Sequence, residues 1–345
     1  MRIAFLWDWD IVPEHAIGWK DGLAAALRIL MTRHEVAFFA VGTHADYPHE
    51  YFTIRSRVAG DELVGEIRDY KPDVILHWGD MTRPHAKPLA SLGIPMAICF
   101  AGGNTAGPNR YCFGHVFVEN EEYRAKFLAE EPDLPVTIAF GANTGLFQEL
   151  GNAPRTLDAV FPAVFADWKR HGLFLEATRG MRTMCAGFMY PVSERYCWER
   201  PMESGVVVMP NVTAEASRMM MVQSKCVLIT SKNVGGSQRT VLEALACNTP
   251  VVVMSDNEKC CEYLRDAGCE DWIVDPEPEK IREKIIRLVP RNTRDRIMGR
   301  WDEETYAKNV EEGLLKLLET YADVVPGKRG EDRGDLGRAE PEEGP

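Results

Sequence analysis

The chain has 345 residues, 45% hydrophobic and 27% charged, a globular balance and too long for one ordinary hydrophobic core. Its 40 Lys and Arg against 52 Asp and Glu leave a net charge of -12, which excludes a general polyanion binder but leaves room for a local basic groove. The 9 Cys are scattered, with no Cys-x-x-Cys pair and no His at zinc-finger spacing, so they read as reduced thiols filling the core. The start, MRIAFLWDWD, is apolar too briefly for a signal peptide. No apolar run approaches the ~20 residues of a membrane helix. The expectation is a cytoplasmic protein without a transmembrane segment; peripheral contact with a membrane stays open.

In chain order, IAFLW (3–7) predicts a buried parallel strand ending at Asp8 and Asp10. KDGLAAALRILM (20–31) has helical spacing, and EVAFFAV (35–41) predicts the next strand. PDVILHW (72–78), IPMAICF (94–100) and HVFVEN (115–120) follow as strands, then a charged helix near 121–130 and a strand at 136–140. GANTGLFQELGNAPRT (141–156) has linker composition. The pattern then restarts: a strand at 157–165, a helix at 172–181, buried strands at 205–210, 226–231 and 250–255, and a periodic helix at 239–247. Helices at 279–289 and 303–322 close the ordered part. Alternating strands and helices predict an α/β protein with two Rossmann-like domains, their parallel sheets facing a cleft. The boundaries fall at 1–150, 151–302 and 303–325, the last a helix returning toward the first domain. Residues 326–345 have one large aliphatic residue, Leu336, among charges and glycines, and read as a disordered tail.

The most informative stretch is SKNVGGSQRTVLEALACNTPVVVMSD (231–256). A strand ends, Gly235 and Gly236 turn the chain, and a helix starts near Ser237, Gln238, Arg239 and Thr240. Unpaired amides at that start, with the helix dipole, suit a phosphate. Glu243 lies one turn in, where a carboxylate can accept two hydrogen bonds from a ribose diol. The plain alternative is any βαβ unit with a polar turn.

This segment resembles the donor-binding motif of GT-B fold, family-4-type glycosyltransferases (glycosyl transferases group 1). Glu243 in VLEALACNTPVVV matches the family's second motif Glu, which holds the nucleotide ribose. The first motif Glu, a contact to the donor sugar, falls on Gly235 and is absent. KRHGLFLEA (169–177) resembles the family's Lys-Gly-x-x-Leu-Leu-x-Glu-Ala stretch, which makes Lys169 the cation for the donor diphosphate. Read without the resemblance, Lys169 and Arg170 are a solvated pair before a helix. The family's partner Arg falls on Val164 or Ala163, so Arg170 or Arg239 would have to replace it. FGANTGLF (140–147) resembles the interdomain Gly-Val-Asp-Thr-x-x-Phe segment at Gly141, Asn143, Thr144 and Phe147.

The first half would hold the acceptor. Asp8, Asp10, His15 and Trp19 follow its first strand, His77 and Asp80 its third, and Gly102, Gly103 and Asn104 its fourth. Ligands collect at such strand ends in open α/β sheets. Asp80, His77 and Asp10 are candidates to contact the acceptor hydroxyl; the alternative is a turn former or local cap. The glycines would admit the transferred sugar. The family's His in the last of these loops falls on Ala101. Asp8-Trp-Asp10 has the letters of a metal pair, but no metal is expected. The resemblance implies transfer from a UDP- or GDP-sugar, itself a substrate rather than a cofactor, with retention. The acceptor is open: a lipid-linked sugar, a protein, a small molecule or a modified nucleic-acid base. Alternative readings are a nucleotide-sugar epimerase and an inactive binding or scaffold protein.

Overall fold

A computed structural model describes residues 1–7, 19–42, 44–79, 84–99, 109–151, 154–187, 199, 201–202, 204–234 and 238–324. The first sheet joins β1 (Arg2–Trp7), β2 (Glu35–Val41), β3 (Ala45–Pro48), β4 (Thr53–Arg57), β5 (Val74–Trp78), β6 (Met96–Cys99), β7 (His115–Val118) and β8 (Val136–Ile138). Its order is β3-β4-β2-β1-β5-β6-β7-β8. It is parallel except for β3, which pairs antiparallel with β4 at the edge. Its helices are α1 (Gly22–Met31), α2 (Asp61–Tyr70), α3 (Ala86–Ala90) and α4 (Glu121–Glu130). The central strands are apolar on both sides, as helix-covered parallel strands must be: Ile3 to Leu6 are at most 1% exposed.

The second sheet has the order β11-β10-β9-β12-β13-β14, from β9 (Ala159–Pro162), β10 (Thr183–Gly187), β11 (Val207–Pro210), β12 (Val227–Ile229), β13 (Val251–Met254) and β14 (Ile273–Val274). Around it lie α5 (His171–Ala177), α6 (Ala214–Val222), α7 (Arg239–Ala246), α8 (Glu258–Asp266), α9 (Pro278–Arg287) and α10 (Arg294–Ile297). Strand β11 is not the buried strand its Val-rich sequence predicts. Among the described residues it bonds only to β10, at the sheet's edge, with Val207 52% and Met209 38% exposed.

Helix α11 (Glu303–Val324) follows and crosses back. Its stripe of Tyr306, Val310, Leu314 and Leu317, at helical spacing, is buried in one core with Leu23 and Leu27 of α1 and Phe5 of β1. The two crossings between domains lie together: Ala142 bridges Asp302, and Glu303 accepts hydrogen bonds from the Thr144 and Gly145 amides at 2.7 and 3.0 Å. A Cβ on Gly141 would sit 2.6 Å from the Asp302 carbonyl oxygen, so only glycine fits there. A second junction docks α8 on α4. Lys259 Nζ donates to the Tyr123 hydroxyl at 2.8 Å, and the Tyr263 hydroxyl to the Glu119 carbonyl at 3.1 Å. No helix among the described residues is long and apolar enough to cross a membrane.

Candidate functional site

Strand order fixes where each sheet opens. In the second sheet the chain runs from β9 outward through β10 to β11, then restarts at β12 on the other side of β9. Connections leaving β9 and β12 therefore diverge, and a crevice opens between them at their C-terminal ends. Lys169 stands on the first connection and α7 on the second.

Lys169 ends a single 3₁₀ turn, Asp167–Lys169, and Arg170 adopts the left-handed conformation at φ 54° before α5. Lys169 is not a solvated lysine: it is 5% exposed, and its Nζ donates to Gln238 Oε1 at 2.5 Å. Loss of hydration pulls its pKa down to about 8. Arg170, which the sequence offered in place of a missing phosphate arginine, is committed elsewhere. Its guanidinium forks onto Asp256 at 2.6 and 2.8 Å and donates to the Thr230 and Ser231 carbonyls at 2.5 and 3.1 Å. It ties the exit of β12 to α5, and those contacts occupy the donors a phosphate would need.

Gln238 caps α7 by position, but its side chain makes no capping bond. Thr240 Oγ1 lies 3.5 Å from the Pro162 carbonyl and holds the first turn beside the end of β9. The half-buried Glu243 carboxylate has no hydrogen-bond partner among the described residues. Burial raises its pKa to about 7, against the pull of Arg239. Arg239 lies over the Phe140 ring, 4.8 Å from its centroid, and pairs with Asp21 of the first domain. Burial opposes the Arg239 charge, but Asp21, then Tyr306 and Glu243, outweigh it and hold its pKa above the ordinary guanidinium value. Gly235, Gly236 and Ser237 lie outside the described residues.

Two side chains here escaped the sequence reading. Asp21 caps α1, accepting from the Ala24 amide at 3.0 Å, and faces Arg239 across the domain seam. An Asp before the apolar run of 22–31 was the available signal. His171 is 5% exposed, stacked on Phe165 at 5.1 Å, with neither ring nitrogen hydrogen-bonded among the described residues. Burial, then the Lys169 charge, lowers its pKa to about 4. Nothing in the sequence marked it.

On the acceptor side, His77 does not stand open to a substrate. It is 0% exposed, 3.3 Å from His85 Nε2 and stacked on Phe113 at 5.4 Å. Strand alternation explains this: Trp78 emerges on the α1 side of the sheet, and His77 goes into the opposite core. Trp19 is half-buried among Phe5, Trp7, His49 and Phe52. Asp8, Asp10, His15, Asp80, Gly102, Gly103 and Asn104 lie outside the described residues.

Residues 159–291 match the family model described as glycosyl transferases group 1. The second domain is therefore a glycosyltransferase domain of that group, and the chain has the GT-B architecture of such enzymes. A sucrose-phosphate synthase from Thermosynechococcus elongatus shares the fold at TM-score 0.69 and 13% identity, over 92% of this chain and 99% of that one. HepE of Anabaena, solved with UDP and glucose, does so at TM-score 0.66 and 14% identity, over 92% and 100%. AviGT4, a glycosyltransferase involved in avilamycin A biosynthesis, does so at 0.62 and 18%, over 92% and 98%. No curated protein matches the chain.

Proposed function

We propose that the protein transfers a sugar from a nucleoside-diphosphate sugar, UDP- or GDP-linked, to an acceptor held by the first domain. The observation that carries the reading is the contact of Lys169 with Gln238 at the start of α7, the helix that also carries Glu243, beside the crevice between β9 and β12. The Lys169 ammonium would neutralise the departing diphosphate, assisted by amides at the start of α7. A diphosphate restores to the buried ammonium the counter-charge it lacks, so donor binding raises the Lys169 pKa from about 8. Glu243 would accept hydrogen bonds from the ribose diol. The family resemblance adds retention at the anomeric carbon and catalysis without a metal ion. Likeness to a protein solved with UDP and glucose ranks uridine nucleotides first for trial.

The test is a melting-temperature panel of UDP, GDP, ADP and their sugars, since a ligand specific to the folded state stabilises it. A rise with one nucleotide, followed by donor consumption that needs an acceptor, supports the reading. No rise with any of them sinks it. A binding subunit without catalysis is a second reading, favoured by Gly235 in place of the motif Glu and by the commitment of Arg170 to Asp256. It predicts the melting rise with no donor consumed.

A further inference from the structure

The chain between β12 and α7 is held from several sides before it reaches Gly235. Asn257, 2% exposed, caps α8 and donates from its side chain to the Ser231 carbonyl at 2.9 Å. The Lys232 amide donates to the Trp168 carbonyl at 2.8 Å, which joins this stretch to the connection that carries Lys169. Asn233, the second residue before Gly235, reaches the other way. Its Nδ2 donates to Glu122 Oε2, in the first turn of α4 of the first domain, at 2.9 Å. Its Oδ1 lies 3.5 Å from the Lys259 amide of α8. The residues on either side of Glu122 are met from the second domain as well. Glu262 accepts from the Glu121 amide at 3.2 Å, and Lys259 donates to the Tyr123 hydroxyl at 2.8 Å. Three successive residues of α4 thus meet the second domain. The outer two meet α8; the middle one meets the stretch that leads into Gly235 and Gly236.

We infer that Asn233 is a positioning residue for the nucleotide-binding loop, fixing its near end to α4 of the opposite domain. The inference rests on the reading of 235–240 as the stretch that receives the donor phosphates. Adjacent glycines have more backbone freedom than other residues, so a loop built on them is costly to order. Clamping the segment that enters it shortens the free chain and removes part of that cost before a ligand arrives. The far end is fixed at the start of α7, where Gln238 meets Lys169 at 2.5 Å. Asn233 suits the task at the near end. A primary amide carries donors and an acceptor on one plane, so one side chain can reach Glu122 across the seam and α8 within its own domain. The bond to a carboxylate is charge-assisted. A carboxylate at 233 would face Glu122 with like charge, and an amide at 122 would then restore one donor and one acceptor. Glu262, which holds the same turn of α4 from α8, separates the loop's own contact from the seam in general.

The full chain is compared with Asn233→Ala, Asn233→Asp, the double variant Asn233→Asp with Glu122→Gln, and Glu262→Ala as a control for the seam. Hydrogen exchange over residues 231–239 is read first, by mass spectrometry on the free protein. It should speed up about three- to tenfold in Asn233→Ala and more in Asn233→Asp, and return toward wild type in the double variant. Glu262→Ala should lower the melting temperature as Asn233→Ala does, yet leave exchange over 231–239 within about twofold of wild type. UDP and GDP are then titrated calorimetrically. The nucleotide that binds should bind Asn233→Ala about three- to tenfold more weakly, the scale of a hydrogen bond to a charged group, with the same recovery in the double variant. If Asn233→Asp does not fold, Glu122→Ala takes its place and should match Asn233→Ala. Unchanged exchange in Asn233→Ala, no recovery in the double variant, or an equal effect of Glu262→Ala overturns the inference. Faster exchange with nucleotide affinity unchanged overturns it as well. Binding of neither nucleotide by wild type is instead the failure of the transferase reading, and the exchange data still decide whether Asn233 holds the loop.

Discussion

The two sheets diverge at equivalent places and are furnished in opposite ways. Around the crevice between β9 and β12 stand a buried lysine, an arginine, a glutamine and a carboxylate, the lysine and the carboxylate with pKa values moved by burial. At the end of β1 and β5 stand the stacked indoles of Trp7 and Trp78, and the only imidazole on those strands is turned into the core. The first arrangement suits a ligand whose charge is always the same; in the second the indole faces pack on each other. Point charges leave a compact signature in sequence, because their spacing to a helix start is fixed. Apolar surface does not, because tryptophans also fill cores.

The contrast breaks most sharply at Lys169. Lys169→Met, which keeps the buried volume, should lower turnover about a hundred- to a thousand-fold, the effect of removing one group that meets developing negative charge. Turnover at saturating donor, read beside the melting temperature, decides it; a loss of only a few-fold would remove Lys169 from the chemistry.

Glu243→Gln should weaken nucleotide binding by about 1–3 kcal/mol, the scale of a hydrogen bond to a charged group. Its pH dependence sharpens the same point. The folded pKa, about 7, stands above the ordinary 4.5, so this group's contribution to unliganded stability is fully present below 4.5 and lost as pH rises through 7. A ribose diol prefers the ionised carboxylate, so nucleotide affinity should rise over the same interval. Calorimetric titrations between these pH values should show the rise in wild type and a flatter profile in Glu243→Gln.

Next in size is the link between the two sides. Asp21→Asn keeps a good helix cap but removes the charge facing Arg239. A double-mutant cycle with Arg239→Gln, read by urea unfolding, should return a coupling of about 1–2 kcal/mol for this half-buried pair. Coupling near zero would mean the seam is held elsewhere, for instance where α8 meets α4. The smallest effect belongs to His77. His77→Gln should leave turnover within a few-fold of wild type, because the ring has no open surface. A collapse of turnover with intact melting would return His77 to the active site.

The helix over 121–130 and strands such as 35–41 were legible to the residue, because their caps and apolar runs are local signals. The chain between 42 and 72 was not. Strands β3 and β4 are short and polar, TIRSR giving β4 no apolar run, and they exist because β2 offers an edge. Strand β10, TMCAG, is equally short and takes its place from β9 and β11. At the site, spacing singles out Lys169 and Glu243 as candidates. It does not show the burial of Lys169, which depends on Gln238, 69 residues away. Arg170 was misread for the same reason: its partner Asp256 lies 86 residues on, beyond any local pattern. His77 was misread by one step of strand alternation, because a parallel strand buried on both faces gives no clue to which side is open.

The return of α11 orders events during synthesis. The first domain leaves the ribosome first, yet Tyr306, Val310, Leu314 and Leu317 cover part of its apolar core. Until that helix emerges, Leu23, Leu27 and their neighbours on α1 lack their cover. The second domain, made later, has its own core complete before α11 appears. The half of the protein that is born first is therefore finished last, and in the interval it presents the kind of uncovered apolar surface that chaperones engage on nascent chains.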